Sequence, residues 1–131
     1  MQELIPEFEQ PYSKAEYVHR LNASEHLILI AEVDDELAGF KVGYDRFLDG
    51  RVFYGWMGAV LPEFREKGIA KLLLKKMEVW CKLKGYQVLK FKTMNQHRNM
   101  LRFAVNNAFD IVGFEPDSNR RLSKIYFEKK L

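Results

Sequence analysis

The chain contains a single cysteine, Cys81, so no disulfide can form within it and no multi-cysteine zinc site can be built. Its three histidines, His19, His26 and His97, share no spacing that would bring two of them to one metal, and no metal site is read. Eight glycines and four prolines among 131 residues are too few for a fibrous or disordered chain. The longest apolar run, residues 27–31, falls far short of the roughly 20 residues that a membrane-spanning helix needs. Residues 1–10 carry acids and no apolar centre, so they do not read as a secretory signal. Charge of one sign is scarce too, at 21 basic against 18 acidic residues, a net charge of +3. That mild excess suits a small anionic ligand rather than nucleic acid, whose binders gather Lys and Arg on one face. These absences predict a cytoplasmic protein with no membrane or nucleic-acid partner.

What is present is material for one globular domain. Hydrophobic residues make up 47% of the chain and 18 of them are aromatic (10 Phe, 6 Tyr, 2 Trp), ample for a core at this length. Residues 1–25 read as a lead-in with a short helix over 14–21, where Ser13 and Glu16 form a capping-box pattern. Residues 26–33 are apolar through Leu27–Ile30, as in a strand buried on both faces, and Asp34-Asp35 ends them. Ala38, Phe40, Val42 and Tyr44 then alternate, Asp49-Gly50 marks a turn, and residues 51–61 form a third strand closed by Pro62. Residues 26–61 are thus an antiparallel meander. Over 68–84 the spacing of Ile69, Leu73, Met77, Trp80 and Cys81 is that of a helix, with Lys71, Lys75, Glu78 and Lys82 on a solvated face and Gly85 as its stop. A strand over 86–93, a helix over 99–107 and strands over 110–115 and 122–129 follow, with 116–121 as a loop. The basic end Lys129-Lys130 reads as solvated, and Cys81, on the apolar stripe, as an inert buried thiol.

Chemistry is concentrated where the third strand gives way to the long helix. A helix start leaves amides without partners and is electrically positive, which suits a diphosphate. Gly68 has no Cβ to hold a phosphate off, Ala70 is small, and Arg65 and Lys67 add charge. The pattern Arg65-x-x-Gly68-x-Ala70, after Val60-Leu61-Pro62 and before Leu73-Leu74, resembles the acetyl-CoA signature of the GCN5-related N-acetyltransferase (GNAT) family. Residues 99–103, followed by Asn107-Ala108-Phe109 and Gly113-Phe114, are similar to that family's second conserved helix and the strand after it. The likeness covers about residues 26–131. It implies an α/β fold with a GNAT-like mixed, mostly antiparallel sheet flanked by helices, parallel only where the cofactor enters, and with residues 62–131 as the CoA-binding half.

The resemblance also implies roles. The main chain of Arg65, Glu66, Lys67, Gly68, Ile69, Ala70 and Lys71 would cradle the pyrophosphate of acetyl-CoA. Gly58, Ala59, Val60 and Leu61 would splay from the neighbouring strand and pair with the pantetheine arm, an amide near Ala59 or Val60 polarising the acetyl carbonyl. Asn95 and Asn99 are both candidates to hold the arm. The family often places a Tyr as acid on the second helix; counting back from Ala108-Phe109 puts Ala104 there. A base is wanted as well, yet residues 51–61 hold no Asp, Glu or His. Tyr54 on that strand is a poor base; Glu32 and His26 on a neighbouring strand could act through water. Tyr54, Trp56 and Met57 could line an acceptor pocket, and Lys90, Lys92, Arg98 and Arg102 could draw a phosphate or an acidic acceptor, although core and solvated-face readings compete. The implied activity is transfer of acetyl from acetyl-CoA to a primary amine, on a small molecule or a peptide or protein, by direct attack and without a metal. The alternative is an acyl-CoA-binding module with little transferase activity. Dimers being the commonest oligomers, a homodimer is compatible with the sequence.

Overall fold

The computed structural model describes residues 24–131; the lead-in and the helix expected over 14–21 lie outside the described residues. Six strands form one sheet in the order β1-β2-β3-β4-β6-β5. Strands β1 (His26–Val33), β2 (Glu36–Tyr44) and β3 (Val52–Val60) are the antiparallel meander. Asp34 and Asp35 both take positive φ, 51° and 64°, the backbone of a tight hairpin turn. The next turn is fastened by Asp49, whose Oδ1 accepts from the amides of Arg51 (2.9 Å) and Val52 (3.0 Å), and these bonds lower its carboxyl below the ordinary range. Among the described residues β1 pairs with β2 alone, and its burial alternates. Ile28 and Ile30 are 49% and 61% exposed, so the expectation of a strand buried on both faces is corrected: an apolar run can sit on an outer strand.

Helix α1 (Ile69–Leu83) packs against β1, β2 and β3 through Ile69, Leu73, Leu74, Met77 and Cys81. Its last turn closes with Gly85 at φ 91°, where the Gly85 amide donates to Lys82 O and the Tyr86 amide to Cys81 O. Strand β4 (Val88–Met94) follows, then helix α2 (Arg98–Asn106), β5 (Asp110–Glu115) and β6 (Lys124–Lys130). Helix α2 ends in the same manner, with Ala108 at φ 68° and the Phe109 amide donating to Ala104 O. A 3-10 turn at Arg120–Leu122 occupies part of the stretch expected as loop and strand, and β6 starts two residues later than expected.

Two residues read as solvated are buried in a pair. Glu78 is 6% exposed; its Oε2 accepts from Lys129 Nζ at 2.9 Å, and Lys129 also donates to Asn107 O at 3.0 Å. This bond joins α1, β6 and the end of α2. Just past the C-terminal end of α1, Tyr86 Oη donates to Glu25 (2.7 Å) and lies 3.2 Å from Asp45 Oδ2; burial and the Glu25 bond push its phenol up. Among the described residues no helix is long and apolar enough to cross a membrane.

Candidate active site

Strand β3 keeps β2 from Tyr44↔Tyr54 to Gly39↔Val60, the end of the strand. It holds β4, in parallel, only through Val52, Phe53 and Tyr54 opposite Val88, Leu89 and Lys90. Strand β4 stays with β6 as far as Met94. The two central strands therefore part after Tyr54, earlier than the splay expected at residues 58–61. An extra residue stands at the fork: Val42 faces Met57 while Gly43 faces Gly55, leaving Trp56 as a bulge. A bulge bends its own strand and adds twist, which carries residues 57–60 away from β4.

A groove of about 590 Å³ fills the fork. Residues 55–60 form one wall and Phe91, Lys92 and Thr93 the other; Leu73 and Leu74 of α1 and Asn99, Met100 and Phe103 of α2 close it. A hollow of about 400 Å³ adjoins it at the start of α1 and shares Val60, Arg65, Ala70 and Phe103 with it.

The 3-10 turn Pro62–Phe64 leads from β3 into this hollow. Glu66 and Gly68 then take φ of 64° and 81°. Nothing lies within 4 Å of where a Gly68 Cβ would stand, so the backbone conformation, not crowding, calls for glycine, and the space above it stays open. Among the described residues no side chain caps α1. The Leu72 amide donates to Gly68 O at 3.0 Å; among the described residues those of Ile69, Ala70 and Lys71 donate to no main-chain carbonyl. All three residues line the hollow, at the positive end of the helix.

The other residues picked from the sequence divide. Gly58, Ala59, Val60, Arg65, Ala70 and Asn99 line the groove; Glu66, Gly68, Ile69 and Lys71 line the outer hollow. Arg65 Nε donates to Val60 O at 2.9 Å, bracing the corner between strand and turn. Lys67 lies over the Phe64 ring, 5.7 Å from its centroid, and lines neither cavity. Leu61 is core, and its amide is taken by Ala38 O at 2.8 Å. Asn95 turns away, donating to Arg120 O at 3.3 Å, while Asn99 Oδ1 accepts from Arg102 at 2.9 Å. Trp56 and Met57 line the groove, but Tyr54 is buried against Tyr44, 5.9 Å between centroids, and Glu32 and His26 lie on β1, outside it. Ala104 is fully buried in the core with Phe109 and opens on neither cavity.

Two ionisable lining residues were not picked from the sequence, Lys41 on β2 and His97 at the start of α2. Among the described residues the inner groove carries Lys41, Arg65, Lys92, Arg98 and His97 and no carboxylate; Glu66 reaches only the outer hollow. Such a lining repels cations and accepts anions. Free amides at a helix start, an open left-handed glycine and a forked strand pair make a fitting cradle for a diphosphate joined to an extended arm. Among the described residues no three His, Cys, Asp or Glu gather as metal ligands.

Solved structures share this architecture. A GNAT family acetyltransferase from Elizabethkingia anophelis with acetyl-CoA bound superposes with a TM-score of 0.76 at 23% identity, over 91% of this chain and 84% of that one. Ard1 from Thermoplasma volcanium gives 0.81 at 15% identity, over 99% and 90%. PaiA N-acetyltransferase from Thermoplasma acidophilum, in complex with coenzyme A, gives 0.72 at 25% identity, over 89% and 68%. No curated protein sequence matches the chain. Residues 1–109 match the model of the acetyltransferase (GNAT) family, and with the forked sheet and helix-start cradle in hand, the chain belongs to that family.

Proposed function

We propose that the protein moves an acetyl group from acetyl-CoA to a primary amine by direct attack, with donor and acceptor bound together. The observation that carries this reading is the fork between β3 and β4 running into the uncapped start of α1. The amides of residues 69–71 and the Lys71 side chain hold the pyrophosphate. Gly58, Ala59 and Val60 offer main chain to the pantetheine arm, with Asn99 across the groove, and an amide at Ala59 or Val60 steadies the oxygen charge that builds on the acetyl carbonyl.

The groove needs neither carboxylate nor phenol for this. Surrounded by Lys41, Lys92 and Arg98, an acceptor ammonium is electrostatically disfavoured and gives its proton to water more readily than in solution. The same cations favour a leaving thiolate, whose thiol has an ordinary value of about 8.5. The acceptor is a small or peptidic amine without a second positive charge near the reacting one, and the working place is the cytoplasm.

The test is calorimetry with acetyl-CoA followed by thiol release with a panel of neutral, anionic and polycationic amines. Turnover with uncharged or anionic amines supports the proposal; failure of acetyl-CoA to bind overturns it. Tight binding with no thiol release for any amine supports the second reading, a binding module, which the burial of Ala104 and the lack of a carboxylate among the described lining residues favour.

A further inference from the structure

Lys41 stands on β2 opposite Gly58 of β3. A Cβ built at Gly58 would lie 3.3 Å from Lys41 Cγ, so the lysine stem crosses the position where residue 58 has no side chain. The residue lines the groove, beside the strand segment assigned to the pantetheine arm. Among the described residues no hydrogen bond or ion pair holds its ammonium. The acid whose field it feels, Glu78, is bound to Lys129 at 2.9 Å and lies 3.7 Å from Lys75. Its other ionisable neighbour, Cys81, is held protonated because burial pushes the thiol up to about 12. Desolvation lowers the lysine from 10.5 to about 8, so a substantial share is neutral amine just above neutral pH.

An unpaired, partly neutral amine on a residue that lines the donor groove has the chemistry of an acceptor. We propose that Lys41 is an internal acyl acceptor, a self-acetylation site served by acetyl-CoA bound in its own groove. This rests on the reading of the groove as an acetyl-CoA site. The neutral Nζ attacks the thioester carbonyl carbon; the N–C bond forms and the C–S bond breaks. Sulfur leaves with the bonding pair as thiolate, and the surplus proton on nitrogen passes to it or to water. The product is an amide that is uncharged and cannot return the acetyl group to a thiol without activation. Modification therefore removes a cation from the groove and fills part of the channel, making the acetylated chain a spent form.

The experiment is incubation of the full chain with acetyl-CoA, peptide mass spectrometry of every lysine over time, and calorimetry with acetyl-CoA on the same sample. Lys41 is expected to gain one acetyl group at least about tenfold faster than exposed Lys75, Lys76 and Lys82, because the donor is held beside it. In Gly68→Glu, or in the heat-unfolded chain, Lys41 falls to the rate of those exposed lysines. In Lys41→Arg the fast acetylation is lost and no other lysine takes it over. If acetyl-CoA binds the wild-type chain and Lys41 reacts no faster than the exposed lysines, self-acetylation is wrong while the groove assignment stands. If acetyl-CoA does not bind at all, both are overturned.

Discussion

At pH 7 the unfolded chain keeps Lys41 protonated in water, whereas the folded chain holds the same ammonium between β2 and α1 with its value lowered to about 8. Below pH 8 both states carry the proton and the fold bears the full desolvation cost, at most about 3 kcal/mol. Between pH 8 and 10.5 only the unfolded chain keeps it, so this cost fades and stability rises. Lys41→Met should therefore raise the melting temperature at pH 7, with the gain shrinking as pH climbs from 8 to 10.5; a lower melting temperature at pH 7 would contradict it. Gly68→Glu should abolish acetyl-CoA binding in calorimetry while circular dichroism stays native, because the site has room for a side chain but not for a second anion. Its positive φ adds a cost of about 1–2 kcal/mol to stability, which Gly68→Ala shares without the charge. Ala104→Tyr reads, from the sequence alone, as restoring an acid. Since Ala104 is 0% exposed, the phenol instead overpacks the core, and denaturant melts should show a loss of about 1–3 kcal/mol with no gain in turnover.

Among the elements, the two helix ends differ in one respect. Gly85 fits its left-handed position, but Ala108 holds φ 68° at the matching place after α2. Ala108→Gly should stabilise the protein by about 0.5–1 kcal/mol in urea melts, relief of strain outweighing glycine's entropy. The strands and helices were legible because their apolar residues recur at periods of two and 3.6; the helical period survives in the burial of α1, whereas β2, expected to alternate, is buried on both faces from Ala38 onward. Misreadings arose where a partner lies far along the chain. Glu78 follows Met77 on α1 and reads as solvated until Lys129, 51 residues away, arrives from β6. Lys41, between Phe40 and Val42, reads as the polar face of a strand, yet α1 covers that face and the fork reaches it. The phosphate cradle was legible because its glycine and helix start are contiguous; the walls of the groove come from five separate elements and were only partly so.

For the whole molecule, the sheet divides into β1–β3 and β4–β6, and three parallel register pairs, with α1 as the connecting helix, hold the two leaves together. A ligand lying in the fork adds contacts to both leaves at once. At about one hundred times its dissociation constant, any such ligand contributes about 2.7 kcal/mol to the stability of the folded state. Hydrogen exchange should slow on CoA binding at residues 55–60 and 91–94, and stay unchanged at β5; equal slowing everywhere would argue against a seam.

The Trp56 bulge, one surplus residue in β3, thus reaches well beyond local geometry. It leaves the sheet open along its own midline, with one apolar cluster centred on each side of the join. Deleting that residue would let the strands zip shut, giving a tougher protein with no way in.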